Sequence, residues 1–285
     1  MNYICFDIGG TKIKYGLVDD DYNIIEKRLI DTNKDNGGKY VISKVIEIIK
    51  ENKQRYEIGG VAISTAGIVD HINGSIIYAD DVMSNYTGLN ICSIIKEKTS
   101  LNASVENDVN CFALYHVLKE SNDFLMVAIG TGIGGAIVIN NNIYHGISNT
   151  AGEFGTMIIN NTRYENLASV SALVNNARKL GLNIENGLDV FKLYDQADEI
   201  AIMAVDNFYK NLAIGLVTLG QIFNFPKIIL GGGITNRKTF LSELIKEIEK
   251  IKDDAYFNTK IEISSYTNDG GMLGALVHYK KIYNN

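Results

Sequence analysis

Residues 2–8 form a short apolar run with Asp7 near its end, and a second run spans 13–18 after Gly9-Gly10-Thr11. Asp19-Asp20-Asp21 is a turn signal, and residues 24–30 are a third extended stretch. Together they predict an antiparallel meander whose first turn is rich in glycine. The period then changes. Val41, Ile42, Val45, Ile46 and Ile49 recur at helical spacing within 39–54. A strand over 58–64, a helix over 91–98, a strand over 103–107 and a helix over 109–119 follow. The opening pattern then returns: 124–129 is apolar, Gly130-Thr131-Gly132-Ile133-Gly134-Gly135 is the turn, and 136–139 is the returning strand. Two such units about 120 residues apart predict two related lobes. Beyond residue 165 the chain reads as mainly helical, with a long periodic stretch over 200–223. A buried-type strand over 227–230 runs straight into Gly231-Gly232-Gly233; a helix (238–251), a strand (260–264) and a last helix from Gly271 complete the pattern. The expectation is an α/β chain with an N-terminal lobe over 1–115, a C-terminal lobe over 116–270, and a final helix, 271–285, packed back on the N-terminal lobe.

Composition narrows the class. The chain has 285 residues, enough for two domains, and is 46% hydrophobic and 21% charged, which excludes wholesale disorder. No stretch approaches about 18 uninterrupted apolar residues, so no membrane span is expected. The opening residues carry no basic leader, which points to the cytoplasm. The net charge is −6 and no basic run interleaves with aromatics, so nucleic acid is not an expected partner. Three scattered cysteines without a C-x-x-C fit a reducing compartment and give no metal signature.

The glycine turns carry the first chemical reading. A turn without Cβ atoms lets the backbone approach a ligand, and consecutive N–H groups there converge on phosphate oxygens. Thr11 adds a hydroxyl and Lys12 a charge, while Asp7 stands where it could orient a hydrated Mg²⁺. One such turn alone favours a plain hairpin. Three glycine sites favour a nucleotide clamp, although no G-K-[ST] Walker loop is present. The second reading concerns Glu106-Asn107-Asp108-Val109-Asn110, which joins a strand to a helix. Asp108 is either a helix N-cap or a general base for phosphoryl transfer, kept ionised by the helix dipole. Asn107 offers a donor and an acceptor suited to a sugar hydroxyl.

Asp7-Ile8-Gly9-Gly10-Thr11, the Glu106–Asn110 segment, the Gly130–Gly135 turn, Gly152-Glu153-Phe154-Gly155 and Gly231-Gly232-Gly233-Ile234 stand in the order seen in ROK-family sugar kinases. The chain resembles that family over nearly its whole length. The resemblance implies an actin-like, hexokinase-like (ribonuclease H-like) fold of two α/β lobes around a cleft, and transfer from ATP-Mg²⁺ to a hexose hydroxyl, usually O6. It implies Asp108 as base and Gly67, Asn85, Asn107, Glu153 and Glu165 against the sugar. It implies Asp7, Gly9, Gly10, Thr11, Lys12, Thr131, Gly132, Gly134, Gly232 and Gly233 around the nucleotide. A homodimer is compatible with it.

The chain departs from the family at the zinc module. Thr156 stands where a histidine is usual, and no cysteine follows Cys111, so no structural zinc is expected. The Thr65–Asp70 and Asn85–Gly88 stretches look most like N-acetylmannosamine kinases, and the 167–233 stretch looks as much like β-glucoside kinases. The leading expectation is phosphorylation of N-acetylmannosamine at the 6-hydroxyl; β-glucoside kinase or glucokinase is the alternative within the family. A non-catalytic sugar sensor is the alternative of another class. A repressor is disfavoured, because the Asp7 strand starts at residue 2 and leaves no room for a helix-turn-helix. His145 reads as a solvated hairpin tip, and His71, His116 and His278 show no ligand spacing. Asp269 reads as the cap of the last helix.

Overall fold

The computed structural model describes residues 1–79, 82–120, 122–265 and 269–283. In chain order its first elements are β1 (Asn2–Ile8), β2 (Lys12–Asp19), β3 (Ile24–Asp31), α1 (Gly38–Lys53), β4 (Ile58–Thr65), β5 (Ile68–Asp70) and β6 (Ser75–Tyr78). Then come α2 (Ile91–Thr99), β7 (Ala103–Asn107), α3 (Asp108–Val117), β8 (Phe124–Ile129), β9 (Ile133–Ile139) and the two-residue β10 (Asn142–Ile143). The small hairpin β11 (Ile158–Ile159) and β12 (Thr162–Arg163) leads to α4 (Glu165–Ala168), α5 (Val170–Lys179), α6 (Gly187–Asp195) and α7 (Glu199–Phe223). The chain closes with β13 (Lys227–Gly231), α8 (Phe240–Ile251), β14 (Lys260–Ile263) and α9 (Gly270–Tyr283).

Two compact units emerge. The first comprises 1–121, 141–150 and 266–285; the second comprises 122–140 and 151–265. The expected boundary at 115 falls inside α3, which runs to Val117 with its buried face continuing through Leu114 and His116. The 141–150 segment, expected in the C-terminal lobe, groups with the first unit. Asn284 and Asn285 of the expected last helix lie outside the described residues.

In the first unit the sheet order is β3-β2-β1-β4-β7. The β1–β2 and β2–β3 pairs are antiparallel, whereas β1–β4 and β4–β7 are parallel. The alternation along β1 explains the layering, since successive side chains point to opposite faces. Ile4, Phe6 and Ile8 join a core with Val41, Val45 and Ile49 of α1, and Tyr3 and Cys5 join one with Met272, Ala275 and Leu276 of α9.

The second unit's sheet runs β9-β8-β13-β14, with β8–β9 antiparallel and β8–β13 and β13–β14 parallel. It repeats the hairpin-then-parallel plan of the first. Its core gathers Leu125, Val127 and Ile129 of β8 with Phe208, Leu212 and Leu216 of α7. Helix α7 is long and apolar enough to cross a membrane by length and composition, a feature that a search for unbroken apolar runs overlooks; most of its apolar stretch is buried inside the protein. Gly134 and Gly135 belong to β9 rather than to the turn, because ladder pairing with β8 begins at Ile133.

Candidate active site

In the first unit, three strand ends and one helix start carry the candidate residues. The Gly9-Gly10-Thr11 turn is closed by a Gly9 N–H bond to the Lys12 carbonyl at 3.0 Å, and Thr32 Oγ1 donates to the Gly9 carbonyl at 2.7 Å. Thr11 is exposed. The Lys12 ammonium pairs with Asp31 at 2.6 Å on the surface, so its charge is shared with a carboxylate. Asp7, two residues before that turn, accepts from Ser64 Oγ at 2.9 Å. Burial pushes its carboxyl above the usual range despite the Ser64 bond and nearby Lys14.

Asn107 is the N-cap of α3, not Asp108. The Asn107 Oδ1 accepts from the N–H groups of Val109 (2.9 Å) and Asn110 (3.1 Å), while its Nδ2 donates to the Gly67 carbonyl at 3.0 Å. Both amides are orphan donors of a helix start, and the Val109 N–H is shared with Asp108 Oδ1, also at 2.9 Å. Asp108 is therefore the first residue of α3, half-buried, directly beside the capped turn. Gly67, the other end of the Asn107 bond, has φ of +103°. Asn85 sits in an exposed turn at φ +55°, beside Gly37 rather than at any bond to Asn107 or Gly67.

Glu106, one residue before the cap, is 1% exposed and fully engaged. Its Oε1 accepts from the Asn107 N–H (2.7 Å) and Asn110 Nδ2 (3.0 Å), and its Oε2 meets His145 Nε2 at 2.6 Å. His145 is thus no solvated tip. It stacks flat on His71, with ring centroids 3.4 Å apart and 4° between planes. His278 of α9 approaches Glu106 Oε2 at 3.8 Å. Burial would raise the Glu106 carboxyl, but His145 and His278 outweigh it and hold it at about 2. Burial also lowers His278 below the usual histidine value.

Both shifts have the same consequence in acid. Between its ordinary value and its lower folded value, the unfolded chain protonates His278 and the folded chain does not. Below the ordinary glutamate range the unfolded chain likewise protonates Glu106 first. In each window the unfolded state binds more protons, so stability falls as pH falls. Melting temperature should therefore drop from pH 7 toward pH 5 through His278, and further toward pH 2 through Glu106. A His278→Gln variant should flatten the first part of that profile; an unchanged slope between pH 7 and 5 would reject the assignment to His278.

In the second unit the Gly130–Gly132 turn is closed by a Gly130 N–H bond to the Gly132 carbonyl at 3.0 Å, and the Val170 N–H donates to the Gly130 carbonyl at 2.9 Å. A cavity of about 1330 Å³ opens there, bounded by Gly130, Thr131 and Gly233 at one side and by Val174, Phe191 and Arg237 at another. Gly232 precedes it at φ +101°, where a Cβ would lie 2.1 Å from the Ile129 carbonyl oxygen. The sequence pointed to Thr131 and Gly233 but missed the walls from α5, α6 and residues 234–239, whose residue types are ordinary core and surface. Arg237 is fixed by paired bonds to Asp195 (2.7 and 2.9 Å) and Glu243 (2.9 and 3.1 Å), with its guanidinium 4.8 Å from the Phe191 ring centre.

Gly132 faces elsewhere: a Cβ on it would lie 2.7 Å from Glu165 Oε2. Glu165 opens α4 after the β11–β12 hairpin, which replaces the plain loop that residues 160–163 resemble in sequence. Glu153 stands before a short turn of helix, and its carboxyl is raised by burial and by the charge of Glu165. The structure so brings Gly132, Glu153 and Glu165 into one neighbourhood, while Gly134 stays within the β9 ladder opposite Ala128. Among the described residues, no group of three His, Cys, Asp or Glu side chains is placed to hold a metal ion.

The two repeated glycine hairpins, each backed by parallel strands, define an α/β protein of the actin-like, hexokinase-like class. The ROK family profile matches residues 3–282, and the chain belongs to the ROK family. A Clostridium perfringens protein without an assigned activity is 38% identical over 99% of both chains. The β-glucoside kinase of Listeria monocytogenes is 30% identical, with 98% of this chain and 97% of that one covered. The solved structure of a Listeria monocytogenes protein proposed to be an N-acetylmannosamine kinase superposes with a TM-score of 0.89, at 29% identity and 99% coverage of both chains. By this membership the protein is a sugar kinase.

Proposed function

We propose that the protein phosphorylates N-acetylmannosamine, or a closely similar N-acetylhexosamine, at its 6-hydroxyl with ATP and Mg²⁺ in the cytoplasm. The observation that carries the catalytic part is the arrangement at the head of α3. Asn107 is the N-cap, so Asp108 stands at the first helical position, half-buried, with its Oδ1 accepting the Val109 N–H at 2.9 Å. In this reading the Asp108 carboxylate takes the proton of the sugar hydroxyl as its oxygen bonds the γ-phosphorus, while the bond to the bridging oxygen breaks and ADP leaves. Such a transition state is loose, and positioning with charge neutralisation does most of the work.

The second unit's cavity is roomy enough for a nucleoside triphosphate, and its glycine edge allows backbone N–H groups to meet phosphate. Mg²⁺ would neutralise the phosphate oxygens. Asp7 fits its hydrated ion, because a nearby cation would favour the ionised form that burial opposes. Thr11, Lys12, Thr131, Gly132, Gly232 and Gly233 are assigned to the phosphates, and Gly67, Asn107, Glu153 and Glu165 to the sugar. Lys12 must exchange Asp31 for phosphate in this assignment. Asn85 is the weakest member, given its place beside Gly37. The free cysteines Cys5, Cys92 and Cys111 support a reducing compartment.

The similarity to a β-glucoside kinase at 30% identity supports a second reading, with a β-glucoside or glucose as acceptor. A coupled assay of ADP release decides between them. N-Acetylmannosamine should give the highest kcat/KM in a panel with N-acetylglucosamine, glucose and β-glucosides. Preference for a β-glucoside or for glucose would move the assignment to the second reading; ADP release with none of the sugars would reject both.

A further inference from the structure

Glu106 holds the backbone and side chain of the catalytic turn from behind, and the group that holds Glu106 is His145. The carboxylate's Oε1 fixes the Asn107 N–H and the Asn110 amide. Its Oε2 is 2.6 Å from His145 Nε2, and that nitrogen donates, because Glu106 is ionised. His145 is itself held by the flat stack on His71, whose Nδ1 lies 2.7 Å from Asn149 Oδ1. His145 and Asn149 both belong to the 141–150 segment, which is further held by Lys281 of α9 through the Asn141 carbonyl and Asn142 Oδ1. The segment therefore bears on the catalytic turn through a continuous chain of directed contacts, most of them partly buried, that ends on the buried Glu106 carboxylate.

We propose that His145 is a positioning residue for phosphoryl transfer: by holding Glu106 it sets the Asn107 cap, and with it the direction in which Asp108 leaves α3. Burial of an unpaired carboxylate is costly, so loss of the His145 donor forces Glu106 to turn or to seek another partner. Either response moves the Asn107 N–H and the Asn110 amide that depend on Oε1. His71 and Asn149 act one step further back, by fixing the His145 ring. The inference rests on Asp108 being the base.

Kinetics and amide hydrogen exchange test it together. His145→Leu keeps bulk and removes the donor; His145→Gln keeps an N–H at a similar reach. With the preferred sugar, His145→Leu should lower kcat about 10- to 100-fold with KM for ATP unchanged, and His145→Gln should recover to within about 3-fold of wild type. In protein without ligands, His145→Leu should speed exchange at the Asn107 and Asn110 amides and leave β1 and β4 amides protected, whereas His145→Gln should not. Equal kcat in the Leu variant, or loss of protection spread evenly through the first unit, would overturn the proposal. Should His145→Leu fail to fold, Asn149→Ala loosens the same support without unpairing Glu106, and an unchanged kcat and unchanged Asn107 exchange there would overturn it equally. The exchange result stands whether or not any sugar is turned over, so a failed sugar assignment is told apart from a failed role for His145.

Discussion

Asp108→Asn should lower sugar-dependent ADP release about 10²- to 10⁴-fold, the range that a general base contributes. The fold should be indifferent to the change. Asparagine is nearly isosteric with aspartate, the cap of α3 belongs to Asn107, and the Glu106 contacts are made by neighbouring groups. Sugar affinity measured by calorimetry should stay close to wild type, because the amide still offers hydrogen bonds to a hydroxyl. The pairing of lost turnover with retained binding is the informative outcome. Turnover at the wild-type rate would end the case for Asp108 as the base, and joint loss of binding and melting temperature would assign it a structural duty instead.

The largest effect on stability is expected at Gly274 in α9. A Cβ there would lie 1.6 Å from the Cys111 carbonyl oxygen of α3, and backbone cannot rotate aside as a flexible side chain can. The two helices meet at this glycine, and Met272, Ala275 and Leu276 lock on either side of it. Overpacking typically costs about 1–3 kcal/mol, and a clash with backbone belongs at or above the upper end. At roughly 2–4 °C per kcal/mol for a chain of this general size, Gly274→Ala should lower the melting temperature by about 6 °C or more. Gly130→Ala is the control, since a Cβ there meets nothing within 4 Å. Similar melting temperatures for the two variants would contradict the close approach of α3 and α9.

The elements with a strong period were legible before any coordinates. Positions Val41, Ile42, Val45 and Ile49 spell one face of α1, and all four are buried on the first unit's sheet. The glycine hairpins were legible for a related reason: apolar runs of strand length flank each turn. Legibility failed where contact partners are far apart in sequence and ordinary in type. Glu106 and His145 are 39 residues apart, and neither period nor spacing links them. The cavity walls on α5 and α6 failed likewise, because Val174 and Phe191 read as plain core residues. The sequence alone leaves Asp108 open between cap and base, since aspartate and asparagine are both good N-caps and stand side by side; the bonds of Asn107 give the cap to Asn107.

The first unit is assembled from three stretches of chain, and the stretch that carries α9 comes after the whole second unit. During synthesis, Tyr3, Cys5 and Ala62 must wait for Met272, Leu276 and Tyr279 to leave the ribosome before that side of the sheet is covered. The nascent first half therefore exposes a sticky surface throughout translation of residues 151–265, while the later-made half can already close its own core. Chaperone capture, and labelling of the Cys5 thiol by a short pulse of reagent, should concentrate in that interval and cease once α9 docks.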